Sequence, residues 1–69
     1  MNNIHPTAIV SPKSKLGDNI TIDAFAIIKD NVEIGDETHI GPYAVIYDGA
    51  RIGKKVKIFQ SASIANLPQ

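Results

Sequence analysis

The side chains best suited to proton transfer in this chain are its two histidines, His5 and His39. A histidine acts as a general base when a carboxylate or a nucleophile lies within hydrogen-bonding reach. Asp23 is a carboxylate that could meet His39, because the six-residue repeat of the chain puts both, together with Gly41, on one face. A solvated surface histidine is the simpler interpretation of each, so we expect no catalytic residue in this chain.

Composition argues against metal chemistry and against nucleic-acid binding. With no cysteine and only two histidines, the chain lacks the ligand set of a usual zinc site. Seven basic and seven acidic residues cancel, so no charged surface favours nucleic acid or an anionic membrane. The sequence has neither a signal-peptide pattern nor an apolar stretch of membrane-spanning length. We expect no metal, no cofactor, no nucleic-acid or membrane partner, and a cytoplasmic location.

A period of six residues organises the chain and must position these side chains. Such a period predicts a parallel β-helix. In each unit the leading residue and the residue four positions later point inward and alternate with outward residues, as along a strand. Turn-forming pairs such as Asp30-Asn31 and Asp48-Gly49 fall at the corners. The eleven units from residue 4 to residue 69 begin at Ile4, Val10, Leu16, Ile22, Ile28, Ile34, Ile40, Ile46, Ile52, Ile58 and Ile64.

Three units close one triangular coil, so residues 1–69 are predicted to form a single all-β domain of three to four coils. Units three apart then stack and give the coil three faces. A chain this short buries a smaller fraction of its surface than a larger domain does, so its stability is marginal. Because it has no disulfide or metal to compensate, we expect it to gain stability by self-association.

The first face is unusually apolar for a surface that would meet water. An exposed apolar stripe on a small protein usually marks a contact surface. The alternative is a scatter of ordinary surface apolar residues, which is common. We predict an oligomer face and expect a homotrimer, with the contact made by Ile9, Phe25, Ile27, Tyr43, Val45 and Tyr47.

The other two faces have the composition of solvent-exposed surfaces. The second face carries alternating charges beside a column of glycines. The third face carries no repeated chemistry. The second face comprises Lys15, Glu33 and Arg51 beside Gly17, Gly35 and Gly53, and the third comprises Thr21, His39 and Lys57 beside Asp23, Gly41 and Phe59.

Two segments of the chain resemble the UDP-N-acetylglucosamine O-acyltransferase family. The opening IHPTAIVSPKSKLGDNITIDAFAII resembles the first coil and a half of that family, and IFQSASIANLPQ resembles the stretch before its sugar-nucleotide-binding loop. The segment between them matches in length and spacing. The resemblance implies a left-handed β-helix, whereas the general rule for crossovers between parallel strands favours the right hand.

The resemblance also implies an activity, its substrates and its partners. Enzymes of this family transfer a 3-hydroxyacyl group from acyl carrier protein to the 3-hydroxyl of UDP-N-acetylglucosamine, in lipid A biosynthesis. The resemblance also implies that the protein assembles as a homotrimer. The family's catalytic base is a histidine of a later coil, which has no counterpart here. Gln69 alone aligns with the edge of the substrate-binding segment. The later coils and the C-terminal helical domain also lack counterparts, so we expect these 69 residues alone to be inactive.

Two alternatives to this interpretation stay open. One is a non-catalytic β-helical scaffold or self-assembly module, which is what the 69 residues could support by themselves. The other is a segment of the related UDP-glucosamine N-acyltransferase of the same pathway. Whether this chain is itself an enzyme is therefore not decided by the sequence.

Overall fold

Residues 1–65, which the computed structural model describes, form a parallel β-helix without any α-helix. This part of the chain therefore has no helix that could cross a membrane. Each strand is two residues long, an outward residue followed by an inward one. The eleven strands are β1 (Asn3–Ile4), β2 (Ile9–Val10), β3 (Lys15–Leu16), β4 (Thr21–Ile22), β5 (Ile27–Ile28), β6 (Glu33–Ile34), β7 (His39–Ile40), β8 (Val45–Ile46), β9 (Arg51–Ile52), β10 (Lys57–Ile58) and β11 (Ser63–Ile64).

The strands stack into three parallel sheets, one for each face of the coil. The first face is the sheet β2-β5-β8-β11, the second is β3-β6-β9, and the third is β1-β4-β7-β10. Each strand pairs with the strand one coil away, so that Thr21 lies opposite His39 and Ile22 opposite Ile40. The predicted fold class, an all-β parallel β-helix, and the assignment of strands to three faces are confirmed.

Aliphatic side chains of the repeat fill the interior of the coils. The leading residues Ile22, Ile28, Ile40 and Ile46 are almost completely buried, and the other inward position holds Ile20 and mostly smaller residues. Identical side chains stacked on successive coils make contact along the whole length of a solenoid. The terminal coil lacks a neighbour on one side, and Ile4 is accordingly 39% exposed.

The corners of the coil place ordinary side chains in the left-handed backbone region. Among residues 1–65, seven non-glycine residues have positive φ, including Asn19, Asn31 and Lys55. This region disfavours most residues other than glycine and asparagine. The cost is offset by backbone hydrogen bonds between coils, for example from Lys55 N to Asp36 O at 2.8 Å and from Tyr43 N to Ala24 O at 3.1 Å.

Candidate functional site

His39 and Asp23 meet on the third face. His39 is the outward residue of β7, and Asp23 follows β4 on the preceding coil. The two strands pair in register, which brings His39 Nε2 within 2.7 Å of Asp23 Oδ2. Both side chains are partly open to solvent, at 41% and 37% exposure. A neutral imidazole protonated at Nε2 donates this hydrogen bond, and the carboxylate accepts it. The structure therefore contains the contact between His39 and Asp23 that the repeat allowed.

The pair orients an imidazole but does not by itself complete a catalytic site. Within residues 1–65, no serine, threonine or other nucleophile makes a side-chain hydrogen bond to His39 or to Asp23. No group of three or more histidine and acidic side chains in this range could hold a metal ion. General base chemistry would need a substrate hydroxyl next to the ring. The geometry supplies a polar anchor on the third face.

A pocket of about 350 Å³ opens beside the pair, where β7 and β10 adjoin. The lining includes His39, Asp23 from the coil before it, and Lys57 and Phe59 from the coil after it. The Lys57 ammonium lies 5.8 Å from the centre of the Phe59 ring, a cation–π distance. The sequence predicted no shared chemistry for this face, so the pocket is a feature that sequence reasoning missed.

Gly41 also lines this pocket. It lies between Asp23 and Phe59 in the outward column next to β4, β7 and β10. A Cβ at Gly41 would come within 2.7 Å of Ile58 O and 2.9 Å of Gln60 N, closer than real Cβ contacts. The glycine therefore allows the backbones of the two coils to approach. A residue without a side chain between two large ones was the signal in the sequence.

The first face is apolar and largely exposed. Phe25 and Tyr43 stack at its corner with their ring centres 5.1 Å apart and their planes inclined by 21°. Ile9, Phe25, Tyr43 and Tyr47 are 64%, 50%, 61% and 44% exposed, while Ile27 and Val45 are half-buried. All six predicted residues thus lie on or beside one sheet. Their role in self-association stays a prediction.

The remaining residues that the sequence analysis named lie away from the pocket or outside the described residues. His5 Nδ1 lies 2.8 Å from Thr7 Oγ1 and accepts the Thr7 backbone N–H at 3.1 Å, so it shapes the first turn. On the second face, Arg51 Nε lies 3.7 Å from Glu33 Oε2, an exposed ion pair. Gln69, the predicted substrate-binding residue, lies outside the described residues.

Comparison with known proteins identifies a matching family and two relatives. The sequence matches the family described as bacterial transferase hexapeptide (six repeats) over residues 13–48 and 31–66. It is 72% identical over all 69 residues to the acyl-[acyl-carrier-protein]–UDP-N-acetylglucosamine O-acyltransferase of Aliarcobacter butzleri (strain RM4018). The enzyme of that name from Chlamydia caviae is 44% identical over the same length. The chain spans 26% and 25% of the two relatives, about a quarter of each.

A solved structure has the same coil geometry. The UDP-N-acetylglucosamine acyltransferase from Campylobacter jejuni superimposes with a TM-score of 0.90 at 31% sequence identity. The match covers 97% of this chain and 27% of that chain. A superposition this close requires both β-helices to wind in the same direction.

Proposed function

The chain belongs to the bacterial transferase hexapeptide family, and we propose that it forms the N-terminal coils of an acyl-[acyl-carrier-protein]–UDP-N-acetylglucosamine O-acyltransferase. The observation that carries this proposal is the 72% identity to the Aliarcobacter butzleri enzyme over the full 69 residues. The superposition with the Campylobacter jejuni enzyme supports it. Both named relatives are O-acyltransferases, so the N-acyltransferase alternative gains no support.

In this proposal the whole enzyme moves a 3-hydroxyacyl group from acyl carrier protein to the sugar 3-hydroxyl. An oxygen nucleophile needs a base to remove its proton as the acyl–oxygen bond forms. We do not assign that base to His39, because the base that the resemblance implies is a histidine of a later coil, and the hydrogen bond between His39 Nε2 and Asp23 only orients the ring. We therefore assign the 69 residues a scaffold role and expect no transfer by them alone. A cytoplasmic location remains a prediction.

Self-association through the first face is the second part of the proposal. The stacked Phe25 and Tyr43 rings and the exposed Ile9 give this face an apolar surface that a partner copy could cover. Burial of apolar area is the main driving force of association between copies. We propose a homotrimer in the full-length enzyme, with acyl carrier protein and UDP-N-acetylglucosamine as its substrates.

A chimera tests the scaffold assignment. The 69 residues replace the matching segment of the Aliarcobacter butzleri enzyme, and acyl transfer from 3-hydroxyacyl carrier protein to UDP-N-acetylglucosamine is measured. We expect activity within about tenfold of the parent, because the repeat register is the same. A matched chimera with Ile46→Asp should lose its activity, because Ile46 is completely buried. A folded but inactive first chimera would contradict the proposal, as would turnover by the 69 residues alone.

A further inference from the structure

Two opposite charges line the pocket on the third face without pairing. Asp23 and Lys57 both contribute to its wall. Among the residues that the structure describes, the only ion pairs within 4.0 Å are His39 with Asp23 and Arg51 with Glu33, so Lys57 has no carboxylate partner there. In the same range Asp23 uses Oδ2 for His39, and Oδ1 makes no hydrogen bond. Each group therefore keeps capacity for a ligand atom.

The third component of the pocket is apolar. Phe59 is 71% exposed, although Lys57 approaches one side of its ring. Gly41, Pro42 and Ile58 extend the apolar lining. Small-molecule sites combine such a lining with a few polar groups that fix the orientation of the ligand. The volume, about 350 Å³, lies at the lower end of the range for these sites.

We propose that this pocket binds a small zwitterion with an apolar side chain, of the class of the free aromatic or large aliphatic α-amino acids. The ligand carboxylate lies against the Lys57 ammonium, its ammonium group lies against Asp23 Oδ1, and its side chain packs on Phe59. A simple anion would meet the repulsion of Asp23, and a simple cation that of Lys57. A ligand that carries both charges can pair with Asp23 and Lys57 at the same time.

His39 acts in this site as a positioning residue. Its 2.7 Å hydrogen bond to Oδ2 fixes the carboxylate of Asp23, which leaves Oδ1 for the ligand. A fixed acceptor loses less conformational entropy on binding than a mobile one. This site is independent of the proposed acyl transfer, since none of its groups has a role assigned in that reaction.

Four probes test the proposal on the 69-residue chain by two-dimensional NMR of its backbone amides. L-Phenylalanine carries both charges and a ring. 3-Phenylpropionate lacks the ammonium group, phenethylamine lacks the carboxylate, and glycine lacks the ring. We expect saturable shifts of the Gly41 and Gln60 amides with L-phenylalanine at about millimolar concentration. Each of the other three probes should bind at least about fivefold more weakly, because each lacks one of the three contacts.

Two variants connect the binding to the named groups. Lys57→Gln and Asp23→Asn should each weaken L-phenylalanine binding about tenfold, as expected for loss of a charge-assisted hydrogen bond. Lys15→Gln removes a lysine from the second face and serves as the matched control, with binding unchanged. His39→Gln should weaken binding less than Asp23→Asn. Because all four residues are at least partly exposed, folding should be preserved.

Three results would overturn the proposal. The first is the absence of saturable shifts with L-phenylalanine. The second is equal binding of 3-phenylpropionate, which would mean that Asp23 does not contribute. The third is an equal effect of Lys57→Gln and of the Lys15→Gln control. None of these results bears on the acyltransferase chimera, so the two proposals fail separately.

Discussion

The imidazole of His39 and the carboxylate of Asp23 join two successive coils through a 2.7 Å hydrogen bond between side chains. Their exposures of 41% and 37% predict a small coupling energy, about 0.2–1 kcal/mol, because water screens the pair. A double-mutant cycle with His39→Gln and Asp23→Asn, measured by urea unfolding, gives this energy directly. A coupling well above about 2 kcal/mol would contradict the solvent-screened character of the pair.

The same histidine should not matter for acyl transfer. In the active chimera, we expect His39→Gln to change the turnover by no more than about twofold, because the base of the proposed enzyme is a histidine of a later coil and the Asp23 hydrogen bond only orients the His39 ring. Loss of a true general base costs about 10²- to 10⁴-fold. Steady-state kinetics with saturating donor would therefore separate the two roles clearly.

Charge on the first face should prevent self-association. Ile9→Lys places an ammonium group at a position that is 64% exposed and belongs to the predicted oligomer face. We expect the variant to have a smaller mass than the parent in sedimentation equilibrium, because burial of an unpaired charge is unfavourable. Asn3→Lys adds the same charge at the matching position of β1 on the third face and should leave the mass unchanged. Equal masses for the parent, Ile9→Lys and Asn3→Lys would show that the first face is not the contact surface.

The glycine column of the second face should be unequally sensitive to substitution. A Cβ at Gly35 would come within 2.6 Å of the Gly53 carbonyl carbon, whereas a Cβ at Gly53 would meet nothing within 4 Å. Gly35→Ala should lower the free energy of unfolding by about 1–3 kcal/mol, because the backbone must move. Gly53→Ala should be neutral or stabilising by about 0.4–1 kcal/mol through the unfolded chain. Urea unfolding of both variants at one fixed protein concentration gives their free energies of unfolding. Equal changes in the two variants would contradict the close approach of Gly35 to the Gly53 backbone.

Thr38 should be more sensitive to loss of its hydroxyl than to loss of its methyl group. Its side chain is buried, and Oγ1 donates to Gly53 O at 2.8 Å and accepts the Val56 N–H at 3.3 Å. Thr38→Val keeps the shape but leaves both backbone groups unpaired, which costs about 1–3 kcal/mol. Thr38→Ser keeps the hydroxyl and loses one methyl group, worth about 1 kcal/mol. In thermal unfolding, Thr38→Val should have a lower Tm than Thr38→Ser. The reverse order would contradict the two hydrogen bonds of the Thr38 hydroxyl.

The six-residue period predicted most of the fold because it specifies inward and outward positions directly. Ile22 and Ile40 fall in register as the spacing required, and the residues of the three faces lie where the repeat placed them. The pocket beside Lys57 and Phe59 did not follow from the period. It depends on side-chain rotamers, such as those that bring Lys57 over Phe59, which a pattern of apolar and polar positions does not specify.

The spacing between strand partners also sets a rule for how such a chain can change in length. Thr21 pairs with His39 and Glu33 with Arg51, each eighteen positions apart, as in every other pair of the described stack. Inserting or removing a whole turn leaves every side chain on its own face. Six residues keep the interior intact but exchange the three faces, so a contact surface would rotate away from its partner. Any number that is not a multiple of six moves at least one of the two inward residues of each unit to a corner or to an outward position, so only whole turns preserve both the interior and the faces.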